Sequence, residues 1–384
     1  MNTSPAAARP VVPVLKRRLR ALTHLAVVTS FAVLLAAITI WQRASTGEPE
    51  FKPEPVFATL RARAEEVATI RVETKAQAFN ITRTAQGAWV LPDKSGYRAD
   101  FNSVRRTILS LVDLQLVERR TARADWHERL GLGLPKKGGS GTLVTLKDGK
   151  GEVLATLITG ASVEGASAGG RQALYVRRPE QNQTFVARGT LDIESEQARW
   201  LDQTFIDLAR DRVKTAAMKP FKGRPYSVTR AKPEDENFVL VEAIPPGRVL
   251  RSEAEPNGIG NALLGMSFDD VQPLSKVDFA GAAQAAFATF DGLSLSLSLI
   301  EKERDFWITI TAAADPSLKP PTPPGVTSSK LKPDVAKEAK EINALVAGWA
   351  YKIPRYKGTL LTAPLEDLLK PVGAPPAGPT VDSN

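Results

Sequence analysis

Two acidic pairs are best placed by residue type to do chemistry: the adjacent Asp269 and Asp270, and Asp291 with Asp305. Paired carboxylates perform general acid–base work, and glycosidases hold two of them roughly 5–9.5 Å apart. Asp291 precedes Gly292, however, and Asp–Gly is a turn pair whose carboxylate bonds nearby backbone. The run Glu301 to Asp305 reads as a solvated hairpin end. His127 sits between Asp125 and Arg129, next to Glu128, where an acidic neighbour would suit a general base. No Ser or Cys nucleophile accompanies it by motif, and it reads as a residue of a solvated helix face. Lys136 to Thr142 (KKGGSGT) is a glycine-rich basic loop. A phosphate loop places its Lys after the last Gly and runs into a helix. Here the lysines come first and a strand follows, so the segment reads as a flexible loop. Ser140 lacks the G-x-S-x-G spacing of a nucleophile elbow.

Composition narrows the chemistry further. The chain has no Cys, and His24 and His127 are its two histidines. Thiolate and His-cluster metal sites are therefore excluded. The expectation is no catalytic, cofactor-binding or metal residue, no cofactor and no enzyme. Arg119 and Arg120 with Arg123, and Arg177 with Arg178, are basic clusters suited to lipid headgroups, envelope polymers or an acidic partner surface. Aromatics that would stack bases are sparse among them, so no nucleic-acid partner is expected. The formal net charge is +9. Arg9, Lys16, Arg17, Arg18 and Arg20 supply five of those charges, leaving a mild basic excess on the rest.

The elements that position these residues begin with a long apolar run. Residues 21–41 carry no formal charge. About 20 such residues cross a hydrocarbon core of roughly 30 Å. Basic residues stay cytoplasmic. The run predicts a cytoplasmic segment over 1–20 and a transmembrane helix over 21–42. The bulk of the chain is then periplasmic, on a single-pass protein of the inner membrane. A cleaved signal peptide has a shorter core and a small-residue cleavage site, which Ile38 to Gln42 does not provide.

A Pro-bearing linker spans 43–60. Alternating runs then predict strands at Val67–Val72, Ala78–Arg83, Ala88–Leu91 and Thr142–Thr156. A helix after Asp100 as N-cap carries Val104, Ile108, Leu111 and Leu114. The series recurs: Val213–Ala216 echoes Val67–Ile70, Tyr226–Arg230 echoes Phe79–Arg83, and Phe238–Leu240 echoes Trp89–Leu91. A helical stretch containing Ile259, Leu263 and Met266 follows. The expected fold class is α+β: one N-terminal transmembrane helix, then two related antiparallel-sheet units with packed helices, over 61–205 and 206–315. A Pro-rich linker over 316–332 precedes a C-terminal helix and strand over 333–370, and 371–384 read as a disordered tail.

Phe79 to Arg83 with Trp89–Leu91, Tyr97 to Phe101, Tyr175 to Arg178, Trp200 to Asp202, Thr289 to Gly292, Gly348 to Tyr351 and Leu365 to Leu369 resemble, in their order, the domain-of-unknown-function 4340 family. The resemblance spans roughly residues 20–370. It implies a membrane-anchored envelope protein associated with gliding-motility-type ABC transport systems. It carries no catalytic residues. The function expected is a non-enzymatic periplasmic accessory subunit of an ABC-type transport or envelope system, touching transporter membrane subunits and the inner membrane through 21–41. The alternatives are an envelope glycan hydrolase or modifying enzyme using carboxylates, and a periplasmic lipid or glycan binding module.

Overall fold

The computed structural model describes residues 14–45, 51–163, 172–203, 205–315 and 334–373. The expected Pro-rich linker over 316–332, and the tail from 374 onward, lie outside them. Helix α1 (Val14–Ser45) contains the apolar run. Its described side chains, His24 among them, are exposed. Among the described residues no helix is long and apolar enough to cross a membrane. The single-pass inner-membrane reading, with span 21–42 and a periplasmic bulk, is therefore corrected. The run includes the polar residues Thr23, His24, Thr29, Ser30 and Thr39.

The α+β class is also corrected, because the rest of the chain is mostly antiparallel sheet with few helices. The first half comprises β1 (Glu54–Pro55), α2 (Leu60–Arg63), β2 (Val67–Glu73), β3 (Ala78–Arg83), β4 (Trp89–Leu91), β5 (Tyr97–Arg98), α3 (Phe101–Asp113), β6 (Gln115–Arg119), β7 (Thr142–Asp148), β8 (Val153–Ser162), β9 (Ala173–Arg177) and β10 (Thr184–Arg188). The second comprises β11 (Val213–Lys219), β12 (Tyr226–Thr229), β13 (Val239–Leu240), β14 (Arg248–Leu250), α4 (Glu255–Gly260), β15 (Asp270–Pro273), β16 (Ala283–Thr289), β17 (Leu293–Lys302), β18 (Asp305–Ala314), α5 (Val335–Val346), β19 (Trp349–Ile353), α6 (Arg355–Leu361) and β20 (Leu369–Pro371).

Strands dominate because the period of two persists: in β17, leucines at 293, 295, 297 and 299 alternate with serines. Helices stay short where glycine intervenes. α4 stops at Gly260, with Gly258 inside it and Gly265 shortly after, so the expected helix through Met266 does not form. α3 runs longer, over 13 residues without glycine. The Asp100 carboxylate accepts from the backbone of Asn102 and Ser103 and caps its N-terminus.

Read from β4, the first sheet runs β4-β3-β2-β7-β8-β9-β10-β6, with β5 and β1 at its two ends. The second runs β13-β12-β11-β16-β17-β18-β19-β15. The two orders correspond strand for strand. Their irregularities correspond too. β2 shifts register against β7 between Val67 and Thr69, and β11 shifts against β16 between Val213 and Thr215. A third, two-stranded sheet joins β14 to β20.

One apolar core runs through both large sheets. It takes Ile70, Val72, Leu146 and Leu157 from the first, and Met218, Phe287, Leu295 and Leu297 from the second. Burying each such aliphatic or aromatic side chain stabilises the fold by roughly 1.5–3 kcal/mol. At the junction the Tyr97 ring lies 4.9 Å from Trp349 and 5.8 Å from Phe268, edge to face. Lys94 reaches Asp270 at 2.6 Å, and Arg98 donates to the Leu345 carbonyl.

Candidate functional site

The carboxylates separate. Asp291 lies in the turn between β16 and β17, and Asp305 begins β18 after the β17–β18 turn. They stand at opposite ends of β17, roughly 30 Å apart at strand rise, so they are no catalytic pair. Asp291 is buried against Arg212, whose Nε donates to it at 3.0 Å, and Glu338 takes both terminal nitrogens of the same guanidinium. Thr289 Oγ1 also donates to Asp291.

Asp270 and Asp305 do share a cleft of about 230 Å³, with Gln272, Lys302, Glu303 and Lys352 on its walls. Neighbouring strands β15, β19 and β18 place them there: Asp270 is the register partner of Lys352, and Lys352 of Trp307. Each carboxylate is ion-paired, Asp270 with Lys94 at 2.6 Å and Asp305 with Lys352 at 2.8 Å. The Asp305 hydrogen bond holds the Lys352 ammonium above its ordinary value. Asp269 has its backbone N–H on the Lys352 carbonyl.

The other sequence candidates are built into the structure. His127 is buried, not on a solvated helix face, and its Nε2 donates to the Asn182 carbonyl at 2.9 Å. Within the 136–142 segment Gly139 and Gly141 are tightly packed, while Lys136, Lys137, Gly138 and Ser140 are exposed. A Cβ on Gly139 would fall 2.3 Å from Gly133, and one on Gly141 2.7 Å from Ile158. Ser140 donates its backbone N–H to Glu128. Arg177, expected in a surface cluster, is 3% exposed and donates to the carbonyls of Leu132, Pro179 and Gln181. Burial lowers its pKa. Arg178 donates to the Val56 carbonyl. Arg123 pairs with Asp125, Arg120 with Glu118, and Arg119 lies over the Phe51 ring. Among the described residues no group of three His, Cys, Asp or Glu side chains is arranged to hold a metal ion.

The feature that sequence reasoning missed is the outer face of the second sheet. Across β12, β11, β16, β17 and β18, Ser227, Ala217, Ala286, Ser296 and Thr311 form one cross-strand row. Val241 extends that row at the edge by donating its N–H to Ser227. The adjacent row is Val239, Thr229, Thr215, Ala288, Ser294 and Ala313. Val239 and Val241 are 64% and 57% exposed. A solvated sheet face normally alternates to polar and charged residues, yet neither row contains a charge. Ala is disfavoured in strands for want of side-chain contacts. Beside these rows lies a groove of about 450 Å³ lined by Ala217, Lys219, Ser227, Gln284, Ser296 and Ser298 among others. The signal was present in the serines of β17, whose alternation marks an outer face of small residues.

No curated protein and no solved structure is significantly similar to the chain. A family model does match, that of the Domain of unknown function (DUF4340), over residues 89–285. That stretch holds β4 through β15 and the first three residues of β16, and is more than half of the 384 residues. The chain belongs to the DUF4340 family.

Proposed function

We propose that this chain is a non-enzymatic accessory subunit of an ABC-type transport or envelope system, and that it docks a protein partner on the outer face of its second sheet. The observation that carries the docking is the uncharged pair of cross-strand rows, with exposed Val239 and Val241 at its edge. Exposed apolar side chains grouped on a surface mark interaction sites, and here Val239, Val241 and the alanines of the rows supply them. Small side chains let a partner backbone approach the sheet closely. The link to ABC-type systems, including those of gliding-motility type, rests on the family resemblance. The experiment is crosslinked co-purification of the full chain with identification of the captured proteins. ABC transporter subunits should be captured by the unaltered chain and lost with Thr311→Arg/Ala313→Arg, two exposed positions on the face. Capture of no transporter subunit, or capture indifferent to those changes, overturns the reading.

The Asp270–Asp305 cleft favours a second reading, an envelope glycan hydrolase. Against it, each carboxylate is held by a lysine. Turnover of an envelope glycan that Asp270→Asn or Asp305→Asn abolishes would establish it over the docking role.

A further inference from the structure

The strand-for-strand correspondence allows the same surface position to be compared in the two sheets. Counting from the matched register shifts, Glu73, Leu143, Ile158 and Arg177 form one outer-face row of the first sheet. Lys219, Gln284, Ser298 and Thr309 form the corresponding row of the second.

The first row is covered by the chain itself. Leu130, Leu132 and Leu134, in a Leu–Gly–Leu–Gly–Leu segment, pack on Leu143, Ile158 and Tyr175. Arg177 donates to the Leu132 carbonyl at 2.9 Å. The covering backbone comes so close that a Cβ on Gly131 would lie 2.9 Å from the Ala161 nitrogen. That segment belongs to the connection between β6 and β7. The corresponding connection, from β15 to β16, spans only residues 274–282. Its Leu274, Val277 and Phe279 reach Ile300 and Trp307, and stop there. The row through Gln284 and Ser298 is left as the wall of the groove of about 450 Å³.

We infer that this groove receives an extended acidic peptide segment of a partner protein, at the position where the first sheet carries its own Leu130–Leu134 segment. The inference rests on the docking reading above and names the chemistry of the docked element. Ala217, Ala286 and Ser296 permit on the sheet side the close approach that glycine permits on the covering segment of the first sheet. The chemistry of the row has changed from Leu and Ile to Gln and Ser, which hydrogen-bond a polar segment rather than bury leucines. Charge selects the sign. Lys219 lines the groove, and Lys222 and Arg224 follow in the loop to β12. All three are exposed, and among the described residues neither lysine has an ion-pair partner. Glu242, the carboxylate on the wall, accepts from the N–H and hydroxyl of Ser227 and keeps its charge, but Lys219, Lys222 and Arg224 outnumber it.

The test uses the full chain and a fluorescein-labelled peptide of alternating Glu and Ser, followed by anisotropy, with a Lys–Ser peptide as control. The Glu–Ser peptide should bind and the control should not, and added salt should weaken binding. Lys219→Glu/Lys222→Glu should lower affinity by about tenfold or more. Ser296→Trp, which fills the groove from an exposed position, should abolish binding while circular dichroism stays unchanged. Failure of the Glu–Ser peptide to bind, equal binding of the two peptides, or binding indifferent to Ser296→Trp overturns the inference. Capture of transporter subunits that Ser296→Trp leaves intact but Thr311→Arg/Ala313→Arg removes would overturn it alone and leave the docking reading standing.

Discussion

Both terminal nitrogens of Arg212 donate to the two carboxylate oxygens of Glu338, at 2.9 and 2.8 Å, across 126 positions of sequence. The contact ties α5 to the start of β11, and Asp291 joins it from the β16–β17 turn. Burial opposes the charge on Arg212, but the hydrogen bonds to Glu338 and the charges of both carboxylates outweigh it and hold the guanidinium above its ordinary value. Removing one member leaves buried charge without compensation. Arg212→Ala should cost about 3–5 kcal/mol in urea denaturation. A loss under about 1 kcal/mol, the range of exposed pairs, would show that water reaches the cluster.

Asp100 should make stability fall in acid. Burial works against its charge, but the Ser103 hydroxyl and the N–H groups of Asn102 and Ser103 hold its pKa below the ordinary value. A carboxylate lowered in the folded state stabilises fully above its unfolded pKa of about 3.9, and that stabilisation is lost as pH drops through the lower folded value. Asp100→Asn keeps the cap and removes the charge. Its deficit should be about 0.3–1 kcal/mol at neutral pH. The deficit should begin to close below about pH 4 in denaturation series. A deficit that stays constant down to the acid transition would assign the cap to geometry alone.

Gly260→Ala should destabilise the chain despite the better helix former it introduces. A Cβ there would fall 2.4–2.5 Å from the Phe238 ring. Overpacking of this kind costs about 1–3 kcal/mol, against a helix gain of under about 1 kcal/mol. The double change with Phe238→Leu should recover part of the loss, as thermal melts of the three variants would reveal.

Leu132, which covers the outer face of β8, and Ser298, on the outer face of the corresponding β17, should differ sharply as truncation sites. Leu132 is fully buried on Ile158, so Leu132→Ala should cost about 2–5 kcal/mol. Ser298→Ala faces the groove and should stay within about 0.5 kcal/mol. Equal losses in denaturation would show that the groove is filled from within the chain.

Local signals were legible where one element suffices to explain them. Asp100 does cap α3, and the alternation of Val67–Val72 and Ala78–Arg83 does form β2 and β3. The uncharged run at 21–41 forms part of α1, but absence of charge alone does not make a membrane span, and among the described residues none is found. Ile259 and Leu263 have helical spacing, but α4 stops at Gly260. The alternating serines of β17 mark one strand of the candidate face, but the rest of it cannot be read from spacing. It depends on which residues of five strands lie side by side, and only register decides that. His127 and Arg177 misread as surface groups because their partners, the carbonyls of Asn182 and Leu132, carry no side-chain signature.

The aromatic junction at Tyr97 has a mechanical consequence. A hinge needs a few residues free to absorb a change of backbone angle, with little packed around them. Tyr97 is instead enclosed by Trp349, Phe268 and Tyr351, with Lys94 riveted to Asp270 beside it. Changing the angle between the two large sheets would therefore require breaking this ring packing and the Lys94–Asp270 pair together.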